Sequence, residues 1–264
     1  MCRICPPRRY VPFAGRDHAD ARWAHLILFA VAVVAFLLSG CTVVNPGGSG
    51  LVSDPVSSPS AARPSASVGA NVGTAEVQAA LAATAAAGAM RFRTAYSLTA
   101  EQAGYLQTMT RSEGTMDLVA SRGVATKEDY PGTALAQKNQ VALAGDRLFS
   151  RPLAAGATWE DRSGGARAFI GLDVAGASAL DVVKNTLSDA TSWTVVASDP
   201  ADAPGSIRAH ANGGTADVDV VIDASGRITT VVRRSIPSKP GGGGHVYELT
   251  LTEFGVPLEF DAPG

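Results

Sequence analysis

Hydrophobic and polar positions change their spacing several times along the 264 residues, and each change marks a different kind of segment. Residues 26–38 are apolar without interruption and are followed by Ser39-Gly40-Cys41. Residues 42–72 show no hydrophobic period. They are mostly Ser, Pro, Gly, Ala and Val, with Asp54 and Arg63 as the charged residues and Pro46, Pro55, Pro59 and Pro64 as punctuation. Such a segment cannot bury enough apolar area to offset its ordering entropy, which predicts a disordered tether with a reach of about 30 Å. A helical period follows: Thr74 as N-cap, Glu76 in the first turn, Val77, Leu81 and Ala85 on one face, and Gly88 as the stop.

Alternation then takes over. Phe92, Thr94, Tyr96 and Leu98 share one face of a predicted strand, with Arg91, Arg93, Ala95 and Ser97 on the other. Met116, Leu118 and Ala120 alternate in the same way, and Val141 and Leu143 lead through Gly145-Asp146 into Leu148-Phe149 as a tight hairpin. Ser178-Ala179-Leu180-Asp181 has the form of a capping box, with Leu180, Val183 and Leu187 behind it at helical spacing. Strands are predicted around 193–197 and 206–211, then a turn at Asn212-Gly213-Gly214. In the next strand Ala216, Val218, Val220 and Ile222 face inward and Asp217, Asp219 and Asp223 face solvent. A return strand spans 228–234, and Tyr247, Leu249 and Leu251 mark a last one. Sequential strands with short turns, and helices at the start and middle only, predict an α+β fold: one antiparallel sheet with two helices on one face.

Composition sharpens the front of the chain. The apolar run is too short to cross a bilayer comfortably, and the small residues before Cys41 mark a cleavage site between Gly40 and Cys41. The pattern resembles a bacterial lipoprotein signal. That resemblance implies removal of residues 1–40, a diacylglycerol thioether on the Cys41 sulfur and acylation of the new amino terminus. Arg8-Arg9 leaves the export route, general or twin-arginine, open, and the true start is open too. Removing 1–40 takes away five of the 22 Lys and Arg and two of the 24 Asp and Glu, so the remaining 224 residues carry about −5. A mildly acidic chain without a basic stripe argues against nucleic acid as a partner and leaves membrane attachment to the acyl chains. Cys2 and Cys5 fall in the removed segment. Cys41 is then the one remaining cysteine, so no disulfide or thiolate metal site is expected.

Candidate chemistry is sparse. His210 and His245 have no serine partner at a nucleophile-elbow spacing and read as surface histidines. The aspartates 217, 219 and 223 lack the glycine a calcium loop needs and read as the solvent face of a strand. Glycines 241–244 lack the strand–loop–helix context of a phosphate loop and read as a hairpin connection or a lid over a cavity mouth. Glu113, Asp117 and the Glu128-Asp129 pair are candidate paired carboxylates for hydrolysis, though strand-end charges are ordinarily just solvated. Trp159 and Trp193 fit core plugs better than sugar platforms. No cofactor and no metal is expected.

The acidic strand 217–223, the turn Ala224-Ser225-Gly226-Arg227, the returning strand and the close Leu249-Thr250-Leu251-Thr252-Glu253-Phe254-Gly255-Val256-Pro257 resemble the actinobacterial envelope lipoproteins that bind triacylated lipids. Those proteins are similar in fold to the Lol-type lipoprotein carriers. Over 73–264 the resemblance implies a curved antiparallel half-barrel with two helices across its concave face. It implies a non-enzymatic carrier of a lipid, glycolipid or lipoprotein on the outer side of the cell membrane. It transfers no cavity residue, so the cavity lining stays unknown. The alanines of the first helix (Ala79, Ala80, Ala82, Ala83 and 85–87) would leave room for acyl chains or let the helix sit close to the sheet. An accessory, partner-binding lipoprotein and an envelope hydrolase are the alternatives.

Overall fold

The computed structural model describes residues 66–100, 105–190, 192–237, 243–258 and 260. The signal segment, Gly40, Cys41 and most of the tether therefore lie outside the described residues. In chain order the elements are β1 (Asn71–Val72), α1 (Thr74–Ala86), β2 (Met90–Ala100), β3 (Tyr105–Asp117), β4 (Arg122–Asp129), β5 (Gln137–Ala144), β6 (Arg147–Pro152) and β7 (Glu160–Arg162). They continue with α2 (Gly165–Ile170), α3 (Ala179–Ser188), β8 (Trp193–Val196), β9 (Ile207–Asn212), β10 (Ala216–Ile222), β11 (Ile228–Ser235) and β12 (Gly244–Thr252).

All twelve strands belong to one sheet in the order β1-β8-β9-β10-β11-β12-β2-β3-β4-β5-β6-β7, and every pairing is antiparallel. The meander breaks twice, where β1 pairs with β8 and where β12 returns to pair with β2 and joins the two halves. The sheet is open, with the very short β1 and β7 at its edges, which limits the unpaired backbone available to another chain. Asn71 and Val72, expected at the end of the tether, already pair with β8 because Val72 packs against the core.

One face carries the core. Across the central strands Met90 is opposite Met116, and one row runs Leu251, Phe92, Gly114, Ala125 and Val141. Three helices, not two, share this buried cluster. α1 contributes Val77, Ala80 and Leu81, α2 contributes Ala166, Phe169 and Ile170, and α3 contributes Val182, Val183 and Leu187. The predicted N-cap at α3 forms, with the Ser178 hydroxyl accepting from the Asp181 amide at 3.1 Å, but the reciprocal half of the box does not: the Asp181 carboxylate accepts from the Ser178 hydroxyl at 2.8 Å. α1 is capped instead from Gly73, whose amide donates to the Glu76 carboxylate at 3.1 Å.

Two buried hydroxyls fasten helices to the sheet. Thr84 donates to the Ala80 carbonyl at 2.8 Å and accepts from the Ile228 amide of β11 at 2.7 Å. Ser121, held at φ 49, donates to the Gly145 carbonyl at 2.8 Å and accepts from the Ala179 amide at the start of α3 at 3.0 Å. Glycine sets the close approach of β3 and β4. A Cβ on Gly114 would overlap the Val124 carbonyl oxygen and lie 2.6 Å from Ala125 Cα, and one on Gly123 would lie 2.8 Å from the Phe169 ring. Glycines inside strands mark bends and close backbone approaches. An open antiparallel sheet bent at such points is consistent with a curved sheet.

Candidate binding cleft

On the helix-bearing face the apolar rows give way to polar and aromatic ones along β2 and β12. Beyond Thr94 and Leu249 the next row runs across four strands as Arg233, Tyr247, Tyr96 and Thr110. The Tyr96 and Tyr247 rings stack at 4.8 Å between centroids, and His245 stacks on Tyr96 at 5.7 Å. The Tyr96 hydroxyl and His245 Nδ1 are 2.7 Å apart. α2 ends at Gly171 in the left-handed region (φ 74), which turns the chain so that Leu172 and Asp173 come down beside this row.

The space between them is a cleft of about 230 Å³ lined by Tyr96, Thr110, Lys127, Arg167, Leu172, Asp173 and Tyr247, together with Ala168 and Gly171. Leu172 is fully buried and belongs to the core, and Tyr247 packs against it, so core side chains form part of the cleft wall. Burial, reinforced by the Asp173 carboxylate, pushes the Tyr247 phenol up to about 12 and raises Tyr96 as well. Both therefore remain hydroxyl donors at neutral pH. Lys127 pairs with Asp129 at 3.0 Å, and Arg167 reaches Asp173 at 3.8 Å.

A larger recess of about 820 Å³ lies on the opposite face, floored by Ala95, Thr126 and Thr250 and walled by charged side chains. Arg93 pairs there with Glu113 at 3.2 Å and Arg111 with Glu128 at 2.6 Å, while Lys138 lies 3.9 Å from Glu128. Volume favours this recess. Its cations are nevertheless matched by its own carboxylates, and it has no opening to the core, so it reads as the solvated outer face of the sheet.

The carboxylates singled out in the sequence face cations or backbone and not each other. Asp117 accepts from the Ala120 amide in the β3–β4 turn, and Asp129 is held by Lys127. Neither histidine stands alone on the surface. His210 Nδ1 lies 2.6 Å from Asp219 and its Nε2 lies 3.1 Å from Asn212 Oδ1. Asp219, expected on a solvated face, is buried between His210 and Arg234, the latter at 2.6 Å. Its desolvation acts to raise its pKa, but hydrogen bonds from Arg234 and His210 outweigh it and leave the pKa lowered; the Asp219 contact raises that of His210.

Among the described residues no group of three or more His, Cys, Asp or Glu side chains is placed to hold a metal ion. Trp193 is a fully buried core plug, whereas Trp159 lies under the Arg151 guanidinium at 4.4 Å from the ring centroid. Of the glycine run, Gly244 opens β12 and its amide donates to the Thr99 hydroxyl at 3.1 Å; Gly241 and Gly242 lie outside the described residues. The turn after β10 is built as its sequence indicates. Asp223 accepts from the Ser225 and Arg227 amides at 2.8 and 2.9 Å, and Arg227 covers the Phe254 ring. Of the alanines on α1, Ala80 is buried, whereas Ala79, Ala82 and Ala86 face solvent and cannot shape a cavity. The cleft residues Lys127 and Arg167 belong to elements the hydrophobic pattern did not announce, β4 and α2.

Compared with known proteins, the chain matches no family model and no curated protein. Among solved structures it is similar to a LolA superfamily protein from Nitrosomonas europaea, at 9% identity, over 67% of this chain and 94% of that one, with a TM-score of 0.28. A likeness at that level carries no weight in the functional reading, which rests on the sheet and its cleft.

Proposed function

We propose that the protein is a non-enzymatic envelope lipoprotein of the actinobacterial type, anchored to the outer side of the cell membrane by acyl chains on Cys41. The segment between Cys41 and β1 tethers a domain that binds an acyl-bearing molecule between the helices and the concave face of a half-barrel sheet. One observation carries this reading: the single-sided core is continuous with the cleft through Leu172 and Tyr247. A chain of methylenes entering there meets apolar side chains of the core immediately behind the polar rim. Each methylene removed from water is worth about 0.8 kcal/mol, so such a ligand needs few polar contacts to bind.

The cleft, about 230 Å³, is smaller than the roughly 300–1,000 Å³ of sites that enclose a drug-sized ligand. Binding a long chain therefore requires α2 to move. This six-residue helix is held chiefly by Phe169, whose ring lies 5.1 Å from that of Phe92, and by Ile170. The test uses the whole chain and its Cys41→Ala variant. Metabolically supplied labelled fatty acid should attach to the wild type only, and the wild type alone should sediment with membranes. The released variant should co-purify with acyl-bearing molecules detectable by mass spectrometry of an organic extract. An unlabelled wild type ends the anchor, and a lipid-free variant that also takes up no added lipid ends the carrier.

A further inference from the structure

The cleft is lined by more cations than carboxylates. Lys127, Arg167, Thr110 and the hydroxyls of Tyr96 and Tyr247 surround it, against Asp173 as the one carboxylate in its lining. Arg233 extends the same row, directly opposite Tyr247 on β12. Its Nε is buried without a hydrogen-bond partner, and Arg233 pairs with no carboxylate among the described residues. A buried guanidinium donor is costly unless an acceptor reaches it, and arginine forks match the two-oxygen edge of a phosphate or carboxylate. At 3.8 Å the Arg167 contact with Asp173 is a loose ion pair, too long for a hydrogen bond, so Arg167 is also free to turn toward an incoming anion.

We propose that this cleft is an anion-recognition site, in which Arg167 and the Tyr247 hydroxyl from its lining, and Arg233 from the neighbouring position on β11, hold a phosphate or carboxylate group at the head of the bound molecule. The proposal rests on the carrier reading above and narrows its ligand class to anionic amphiphiles. Lys127, partly neutralised by Asp129, adds positive charge at the rim and no dedicated contact.

The experiment measures binding of the full-length Cys41→Ala protein to two fluorescent lipids with identical acyl chains, phosphatidylglycerol and phosphatidylcholine, and separately to inorganic phosphate. The expected result is at least about tenfold tighter binding of phosphatidylglycerol, the size of one charge-assisted hydrogen bond. Arg233→Gln and Arg167→Gln should each reduce that preference severalfold without weakening phosphatidylcholine binding, and Arg233→Lys should restore part of it. Arg167 is exposed on α2, so its variant reports even if Arg233→Gln fails to fold. Equal binding of the two lipids, or a preference untouched by both glutamine variants, overturns the anion site while leaving the carrier intact. Saturable phosphate binding lost in Arg167→Gln, with neither lipid bound, supports the anion site and removes the carrier. Binding of none of the three overturns both.

Discussion

Replacing Thr84 by Val tests how α1 is held on the sheet. The side chain is fully buried, and its hydroxyl reaches from the last turn of α1 to a strand 144 residues away, accepting from the Ile228 amide at 2.7 Å. Valine keeps the shape of threonine and removes the acceptor, so the amide is left buried without a partner. A buried donor stranded in this way costs about 1–3 kcal/mol. The donation to the Ala80 carbonyl is lost too, but that oxygen is already available to the helix ladder, so its share is small. For a domain of this size each kcal/mol moves the midpoint by roughly 2–4 °C, which gives an expected fall of about 2–12 °C. Thermal denaturation of the Cys41→Ala chain followed by far-ultraviolet circular dichroism reads it directly. Thr84→Ser keeps the hydroxyl and should lose less than Thr84→Val. A valine variant within about 1 °C of its parent, or a serine variant that is worse than valine, would refute the hydrogen bond as the fastening.

Ser121→Ala should destabilise more than Ser121→Gly in the same melt: both lose the bridge to Gly145 and Ala179, but glycine relieves the positive φ of 49. Gly114→Ala should prevent soluble folding, since its Cβ would meet the β4 backbone with nothing flexible to yield; a folded variant with parental circular dichroism would contradict the close approach at this point. The His210–Asp219–Arg234 cluster gives stability a pH dependence with a defined sign. The raised pKa of His210 contributes stability that is complete below its ordinary value of 6.5 and is lost as pH rises through the folded-state value. The lowered pKa of Asp219 contributes stability above 3.8 that is lost as pH falls through its folded value. Urea midpoints should therefore be steadiest between about pH 4 and 6.5, and His210→Gln should flatten the alkaline side; an unchanged profile in that variant would show that His210 is not the responsible group.

Period-two patterning located the strands whose inward faces are large and apolar: Phe92 on β2, Val141 and Leu143 on β5, Val218 and Val220 on β10, Leu249 and Leu251 on β12. β4 escaped because its inward positions are Gly123, Ala125 and Lys127, small where Phe169 of α2 must fit and charged where the face opens into the cleft. α2 escaped for a related reason. Six residues beginning at Gly164-Gly165 carry no helical signal, and the helix exists because Phe169 and Ile170 are buried against the sheet. Tyr96 and Tyr247 were visible as inward-facing residues, but their stacking depends on the register between β12 and β2, strands far apart in sequence. Asp219 is buried where alternation predicts a solvated side chain, because alternation shows which way a side chain points and not what stands opposite. His210 comes from β9 and Arg234 from β11, and together they cover Asp219.

The most direct measurement uses a lipid bearing a photoreactive group on its acyl chain, bound to the full-length Cys41→Ala protein, irradiated and mapped by peptide mass spectrometry. Binding on the helix-bearing face predicts labels at Leu172, Tyr247 and Phe169, where the cleft meets the core. Labels confined to Ala95, Thr126 and Thr250 on the opposite face, or no saturable labelling, would contradict it.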